Sequence, residues 1–471
     1  MAKKYNEVTP EILEQFKAIV PGKVYAGEEI NSDYFHDEMP IYGKGAPEVV
    51  IEATTTEDIA AIVKVCYENS LPVIPRGAGT GLTGAAVAVD GGVMIDMSKM
   101  NKILGYDLEN FVVRVEPGVL LNDLAEDAQK QGLLYPPDPG EKFATLGGNV
   151  STNAGGMRAV KYGCTRDYVR AMTVVLPTGE IVKLGATVSK TSTGYSLLNL
   201  MIGSEGTLCI LTEVTLKLLP APKLTRTLVM PFESLESCID MVPRLLQMPA
   251  VPTAIEFLER ELIDIVERNL HKLLPVKEGD AVLIVMYDAG SEQELFAACN
   301  AASDAALEAG AIDVYIADTP ERIASVWSVR GAILEGMKAE SVAQEECDVV
   351  VPRAKIAEYV RLAKAIGAKY GIRVEPCGHA GDGNIHTEML RDASMSDEDW
   401  IRGTRACLTE LYGVSKQFGG QLSGEHGIGN GRLEYLKPFV GDRMYKLYQS
   451  IKLAFDEKLI LNPGKIITFD E

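Results

Sequence analysis

Five histidines occur in this chain, at positions 36, 271, 379, 386 and 426, and three of them fall in glycine-rich stretches. Gly378-His379-Ala380-Gly381-Asp382-Gly383-Asn384-Ile385-His386 carries two imidazoles seven positions apart. On one straight strand, residues seven apart point to opposite faces. Asp382-Gly383, however, is a two-residue hairpin signal. A fold-back there pairs 381 with 384, 380 with 385 and 379 with 386. Directly opposed residues share a face, with Cβ atoms ~4.5–5.5 Å apart. The spacing therefore predicts His379 and His386 within reach of one metal ion. Ser423-Gly424-Glu425-His426-Gly427-Ile428-Gly429 supplies the rest. Glu425 would complete a His-His-Glu set with an open position for substrate. His426, with a reference pKa of about 6.5, suits a base that accepts a hydroxyl proton near neutral pH. Nitrogen and oxygen donors without thiolate fit zinc, iron(II) or manganese.

A second kind of chemistry is written in glycine. Gly79-Thr80-Gly81-Leu82-Thr83-Gly84 matches G-x-G-x-x-G. A nicotinamide-dinucleotide reading needs a helix directly after the loop and an acidic residue about 20 positions on. Here Ala85–Asp90 reads as apolar and β-like, Gly91-Gly92 follows, and position 99 is Lys99. What remains is a run of backbone N–H groups with no side chains in the way, a nest suited to a diphosphate. Pro136-Pro137-Asp138-Pro139-Gly140 precedes a second cluster, Thr145 to Gly156, and Gly203-Ser204-Glu205-Gly206-Thr207-Leu208 is a third. Three such loops, each near a strand, can jointly wrap a large, flat, phosphate-bearing ligand.

Arg76–Gly84, Pro137–Gly156 and Gly203–Thr215 together resemble the FAD-binding domain of the vanillyl-alcohol oxidase flavoprotein superfamily. Gly378–His386 and Ser423–Gly429 resemble its branch of D-lactate, D-2-hydroxyglutarate and glycolate dehydrogenases, and the similarity runs from about Tyr34 to Lys465. The resemblance implies an α+β, two-domain fold, in which an FAD-binding domain is joined to an α+β substrate (cap) domain. Carried over position by position, it implies cofactor contacts at Arg76, Gly77, Gly79, Thr80, Gly81, Pro137, Thr145, Gly148, Asn149, Asn153, Gly155, Glu205, Gly206, Ile210 and Asn462. It assigns metal ligation to His379, His386 and Glu425, and the base to His426. Arg330, in Trp327-Ser328-Val329-Arg330, takes the substrate carboxylate in a bidentate fork. Thr80 stands where covalent members carry histidine, so FAD is expected to be held non-covalently. Cys209 stands where the family pattern has glycine and is expected to fill a gap. Acidic residues in Glu345-Glu346-Cys347-Asp348 make a second substrate carboxylate unwelcome, which favours lactate or glycolate over hydroxyglutarate.

The activity so implied is metal-assisted oxidation of a D-2-hydroxy acid, D-lactate to pyruvate being the first choice. With neither a nicotinamide fold nor a cysteine relay, electrons are expected to leave for a soluble protein acceptor such as an electron-transferring flavoprotein. Alternatives are a glycolate or D-2-hydroxyglutarate dehydrogenase, a quinone-linked dehydrogenase, or an oxidase of the same fold. A non-catalytic flavin-carrying electron-transfer subunit is the reading from another class. It would need neither the histidine motifs nor Arg330.

The elements that must position these residues can be read from pattern. Thr9-Pro10 signals a helix cap with proline at the first position, opening a helix to Val20. Glu48–Ala53, Val93–Asp96, Val112–Glu116, Val169–Leu176 and Ile181–Leu184 read as strands, and Thr56–Asn69 and Val119–Gln131 as helices, the former capped by Thr56. Composition shifts at Pro220-Ala221-Pro222. Beyond it, strands are expected at Thr227–Pro231, Ala254–Leu258, Ala281–Tyr287, Asp313–Ala317, Val349–Val351 and Ile372–Cys377, with helices at Glu292–Ala309 and Ile356–Tyr370. The expected division is an N-terminal helical segment over 1–45, an FAD-binding domain over 46–222, a substrate domain with the metal site over 223–455, and a return to the FAD domain over 456–471.

Composition bounds these readings. A length of 471 residues exceeds what one core usually serves. Lys plus Arg total 46 against 66 Asp plus Glu, a net charge of −20, which makes nucleic acid or an anionic membrane a poor partner. No apolar run reaches the ~18–20 residues of a membrane span. The eight cysteines form no C-x-x-C pair, against a zinc ribbon, an iron–sulfur cluster or a disulfide framework. Lys3 and Lys4 are followed by no apolar core of a secretory signal, so the expected location is cytoplasmic.

Overall fold

The computed structural model describes residues 5–38 and 45–469. Lys3 and Lys4, part of the expected 1–45 segment and the last two residues of the chain lie outside them. The chain forms two compact units. One comprises Met1–Ala154, Cys164–Ala221 and Glu425–Glu471; the other comprises Gly155–Gly163 and Pro222–Gly424.

In the first unit, Thr9 accepts from the Ile12 N–H and starts helix α1 (Pro10–Ile19), which buries Ile12 and Phe16. Strands β1 (Val24–Ala26), β2 (Val49–Glu52), β3 (Val73–Arg76) and β4 (Val93–Asp96) form a sheet in the order β1-β2-β4-β3. β2, β4 and β3 are parallel, as a helical crossover requires. That crossover is α2 (Thr56–Asn69), whose Ile59, Ile62, Val63 and Cys66 pack with Phe16 and Ile51 in one core. The α2 cap is Thr55, one position earlier than expected, because Asp58 then closes a capping box with it. A second, antiparallel sheet contains β5 (Ile103–Asp107), β6 (Val112–Val115), β7 (Val169–Val175), β8 (Ile181–Gly185) and β9 (Ile210–Lys217), in the order β5-β6-β9-β7-β8. Helix α3 (Leu121–Lys130) ends ahead of Gly132, which adopts φ +71°.

Two local expectations are corrected. Ala85–Asp90 is not strand-like: Val87 N–H returns to the Gly84 carbonyl and Gly91 N–H to that of Ala88, so the segment turns. Part of the second glycine cluster is helical, α4 (Leu146–Thr152), capped by the Thr145 hydroxyl.

The second unit is built on seven antiparallel strands: β10 (Leu224–Phe232), β11 (Ala254–Glu259), β12 (Ala281–Ala289), β13 (Tyr315–Ala317), β14 (Gln344–Val350), β15 (Arg373–His379) and β16 (Asn384–Leu390), in the order β13-β10-β12-β11-β15-β16-β14. Among its helices are α5 (Glu292–Glu308), α6 (Pro320–Gly331) and α7 (Ile356–Lys369). Val229, Leu258, Val282, Ile284, Val326 and Val329 share one buried core.

The β15–β16 hairpin differs in register from the two-residue turn expected. His379 lies opposite Asn384, and Cys377 opposite His386. The connection is the four residues 380–383. The His379 carbonyl accepts from both Asp382 and Gly383 N–H, and Gly383 turns the chain at φ +94°. The shift is even, two positions, so it leaves His379 and His386 on one face.

Candidate active site

His379 ends β15 and His386 is the third residue of β16. Both are buried, with rings 5.2 Å apart and nearly perpendicular. Each Nδ1 meets a buried carboxylate: His379 meets Glu256 Oε1 at 2.6 Å, and His386 meets Glu346 Oε1 at 2.9 Å. A carboxylate acceptor fixes the proton on Nδ1 and directs the Nε2 lone pair outward. The two Nε2 atoms lie 3.4 Å apart. Two nitrogens bound at ~2.0–2.1 Å to one tetrahedral ion would stand about 3.4 Å apart. The imidazole pair therefore fits a divalent metal.

Arg330 lies near the end of α6, which Trp327 ties to β10 by a 2.9 Å bond from Nε1 to Thr227 Oγ1. Its Nε donates to Glu256 Oε2 at 2.7 Å. Burial alone would raise the Glu256 carboxyl, but His379 and Arg330 outweigh it and hold the group below its usual value. Glu256 was not singled out in the sequence, and Glu346 only as one of the acids of 345–348, not as a partner of His386. The signal was faint: a lone acid inside Ala254-Ile255-Glu256-Phe257-Leu258, and acids inside a strand-forming run. Glu346 is 3% exposed and committed to His386, so it acts on the imidazole besides adding negative charge. Asp348, on the same strand, receives the Asn384 amide at 2.7 Å, the Ser423 hydroxyl at 2.8 Å and the Gly424 N–H at 2.9 Å.

In the first unit the three glycine clusters converge. A Cβ on Gly77 would sit 2.2 Å from Thr145 Oγ1, and one on Gly79 2.1 Å from Arg76 Nη2. Arg76, at the end of β3, donates to the carbonyls of Asp33 and Ala86. Gly203 and Glu205 N–H groups bond to the Val150 and Ser151 carbonyls of α4. Gly206, at φ +69°, leaves no room for a Cβ against Pro75. Asn462 adopts φ +40° and donates Nδ2 to the carbonyls of Ala85 and Glu205, both at 2.8 Å. Asn149 Nδ2 and Asn462 Oδ1 are buried and have no hydrogen-bond partner among the described residues. Unmet polar atoms beside closely packed, side-chain-free backbone fit a polar cofactor. Thr80 and Gly81 lie in the first cluster, Pro137 is buried ahead of α4, Gly148 lies within α4 and Asn153 caps its end, while Ile210 opens β9. Gly155 lies outside this unit, at the start of Gly155–Gly163. Cys209 is 5% exposed, and burial pushes its thiol up to about 12, as a packing residue requires.

Glu205 lies in the third glycine cluster, among the expected cofactor contacts. Its two carboxylate oxygens accept the N–H groups of Ile428 and Gly429, both at 2.7 Å. The side chain thus pins the loop that carries His426. Burial pushes its carboxyl up to about 7, although those two bonds and Lys465 pull the other way. His426 Nε2 lies 3.4 Å from Glu425 Oε1, and its carbonyl accepts from the Thr83 hydroxyl. His271 caps a helix end with φ +55°, and the His36 Nδ1 meets the Asp37 carbonyl.

Among the described residues, no helix is long and apolar enough to cross a membrane. Residues 47–185 match the family model described as FAD binding domain, and 221–466 match FAD linked oxidases, C-terminal domain. The chain is 56% identical over 468 residues to a D-lactate dehydrogenase of Anaerostipes hadrus, covering 98% of both chains. It is 38% identical to a D-lactate dehydrogenase of Archaeoglobus fulgidus, covering 92% of this chain and 95% of that one. It is 34% identical to the glycolate oxidase subunit GlcD of Bacillus subtilis, covering 93% and 92%. Substrate-bound p-cresol methylhydroxylase has the same fold, with a TM-score of 0.78, 19% identity and 98% of each chain covered. So does 4-ethylphenol oxidase of Gulosibacter chungangensis, with a TM-score of 0.78, 17% identity and 99% of each chain covered. The chain is an FAD-binding enzyme with the vanillyl-alcohol-oxidase-type fold, and it belongs to the family of FAD-linked oxidases and dehydrogenases.

Proposed function

We propose that this enzyme oxidises a D-2-hydroxy acid, D-lactate to pyruvate first, with a divalent metal held by His379, His386 and Glu425. The observation that carries the reading is the buried imidazole pair, its Nδ1 atoms on Glu256 and Glu346 and its Nε2 atoms 3.4 Å apart. Glu425 follows directly on Gly424, which Asp348 holds, and Asp348 pairs with His386 in the sheet register. The names of the Anaerostipes and Archaeoglobus relatives support lactate, and that of the Bacillus relative keeps glycolate as the second reading.

When bound, FAD supplies a two-electron acceptor and the metal a Lewis acid that polarises the substrate hydroxyl. His426 takes the hydroxyl proton, on a loop that Glu205 holds still. Arg330, whose Nε donates to Glu256, takes the substrate carboxylate in the fork of its guanidinium. Orientation by that fork limits attack to one face of the α-carbon, which supports D over L. Arg76, Gly77, Gly79, Gly81, Thr145, Gly148, Asn149, Asn153, Gly155, Gly206 and Asn462 hold FAD. Thr80 offers no imidazole, so the flavin is released by acid precipitation. The electron acceptor in this reading is a separate flavoprotein, with a quinone the alternative.

His386→Ala, or treatment with a chelator, should cut turnover at least a hundredfold while flavin content per chain stays within a factor of two. Active enzyme containing no transition metal would overturn the metal assignment.

A further inference from the structure

Glu256 is fully buried on β11, where that strand meets β15 for only two residue pairs, Glu256 with His379 and Phe257 with Gly378. Its two oxygens serve two different groups. Oε1 meets His379 Nδ1 at 2.6 Å, and Oε2 accepts from Arg330 Nε at 2.7 Å. Glu346 makes the corresponding 2.9 Å contact to His386.

We propose that Glu256 is a positioning residue that locks Arg330 and His379 to one carboxylate, so that the arm for the substrate carboxylate and the imidazole for the metal are held as a single rigid piece. The inference rests on the reading of His379 and Arg330 given above. Three rigid connections make the coupling. The carboxylate is planar, so its two acceptor directions are fixed relative to one another. The short β11–β15 contact fixes Glu256 to His379 through the sheet. Trp327, three residues before Arg330, fixes α6 to β10. A 2-hydroxy acid that places its carboxylate on the arginine then has its hydroxyl at a set distance from the imidazole. Small misplacements of this kind cost large factors in rate.

Chemistry predicts what the loss of one oxygen does at Glu256. In Glu256→Gln one oxygen remains. If it stays with Arg330, the new amide N–H groups face His379 Nδ1, which must then accept. The proton moves to Nε2, where a metal ligand needs a lone pair. If the oxygen stays with His379, the amide faces Arg330 Nε–H, donor against donor, and the arginine swings. In Glu346→Gln the His386 imidazole is disturbed in the same way.

The test uses holoenzyme carrying Glu256→Gln, Glu346→Gln or Arg330→Lys, each first checked for wild-type flavin content. Metal retained after dialysis against graded chelator, and KM and kcat for D-lactate at saturating metal, are measured for all three. Weakened retention, on the order of 10–100-fold in affinity, is expected in both glutamine variants. At saturating metal, KM should rise at least tenfold in Glu256→Gln. Arg330→Lys should weaken metal retention severalfold, since lysine cannot hold the carboxylate in the same fork. That effect needs no glutamate variant to fold. An unchanged KM in metal-saturated Glu256→Gln, or full metal retention in Arg330→Lys, overturns the coupling and leaves the metal assignment standing. Absence of metal from active wild-type enzyme overturns the assignment itself.

Discussion

At the scale of single residues, the buried carboxylates differ in what they meet. Glu256 is held ionised by His379 and Arg330 despite full burial. Glu205 meets only backbone N–H groups with its carboxylate, and burial pushes it up to about 7 from 4.5. A carboxyl raised in the folded chain binds its proton more tightly there than in the unfolded chain. Its contribution to stability is full below about 4.5 and is lost as pH rises through about 7, on the order of 3 kcal/mol over that span. Glu205→Gln should flatten this slope, as read by urea unfolding between about pH 5 and 8. An unchanged slope would mean that another group titrates there. The amide also turns an N–H toward one of the two loop donors, so the His426 loop should loosen and kcat fall about tenfold or more. The roles of Glu256, Glu346 and Glu205 were not legible in the sequence. Glu256 lies 74 residues from Arg330 and 123 from His379, and only the order of strands brings them together. The histidines were legible because glycine flanks them and a turn signal lies between.

At the scale of elements, the β15–β16 hairpin sets the imidazole pair. Its existence followed from Asp382-Gly383, and its register did not. A two-residue turn was expected from the dipeptide, whereas the His379 carbonyl gathers two N–H groups and closes a four-residue connection. Only the even shift preserved the shared face. Gly383 is the position most sensitive to change: at φ +94°, a Cβ would lie 2.1 Å from the Val351 carbonyl oxygen. Gly383→Ala should cost about 2–4 kcal/mol, read in thermal unfolding, and should release metal as the hairpin distorts. Wild-type stability with wild-type metal retention would contradict the hairpin's role. Most elements that were read from periodicity lie within a few residues of their expected bounds, as with β4, which spans Val93–Asp96 as expected, whereas others such as β1, β5 and α6 were not read. β14 was the partial exception. It begins at Gln344, five residues before the expected Val349, because its first half is acidic and yet buried. Acids there satisfy His386 and Asn384, a pairing that no alternation pattern reveals.

At the scale of the whole molecule, two units carry different halves of the chemistry: glycine clusters and the His426 loop in one, the imidazole pair and Arg330 in the other. Among the described residues, the Gly79–Gly84 loop leads to β4 with no helix between, whereas a nicotinamide-dinucleotide loop opens a helix. Reduced enzyme should therefore not be reoxidised by NAD alone, and should be reoxidised when an electron-transferring flavoprotein is added. Rapid reoxidation by NAD would defeat that expectation, and rapid reoxidation by oxygen would make the enzyme an oxidase. The central claim, a flavin reduced by a D-2-hydroxy acid, is tested most directly by following the yellow absorbance of the purified holoenzyme under anaerobic conditions as D-lactate or L-lactate is added. The account predicts complete bleaching by D-lactate in one turnover and none by L-lactate. Equal bleaching by the two enantiomers, or a flavin that stays oxidised with both, would contradict it.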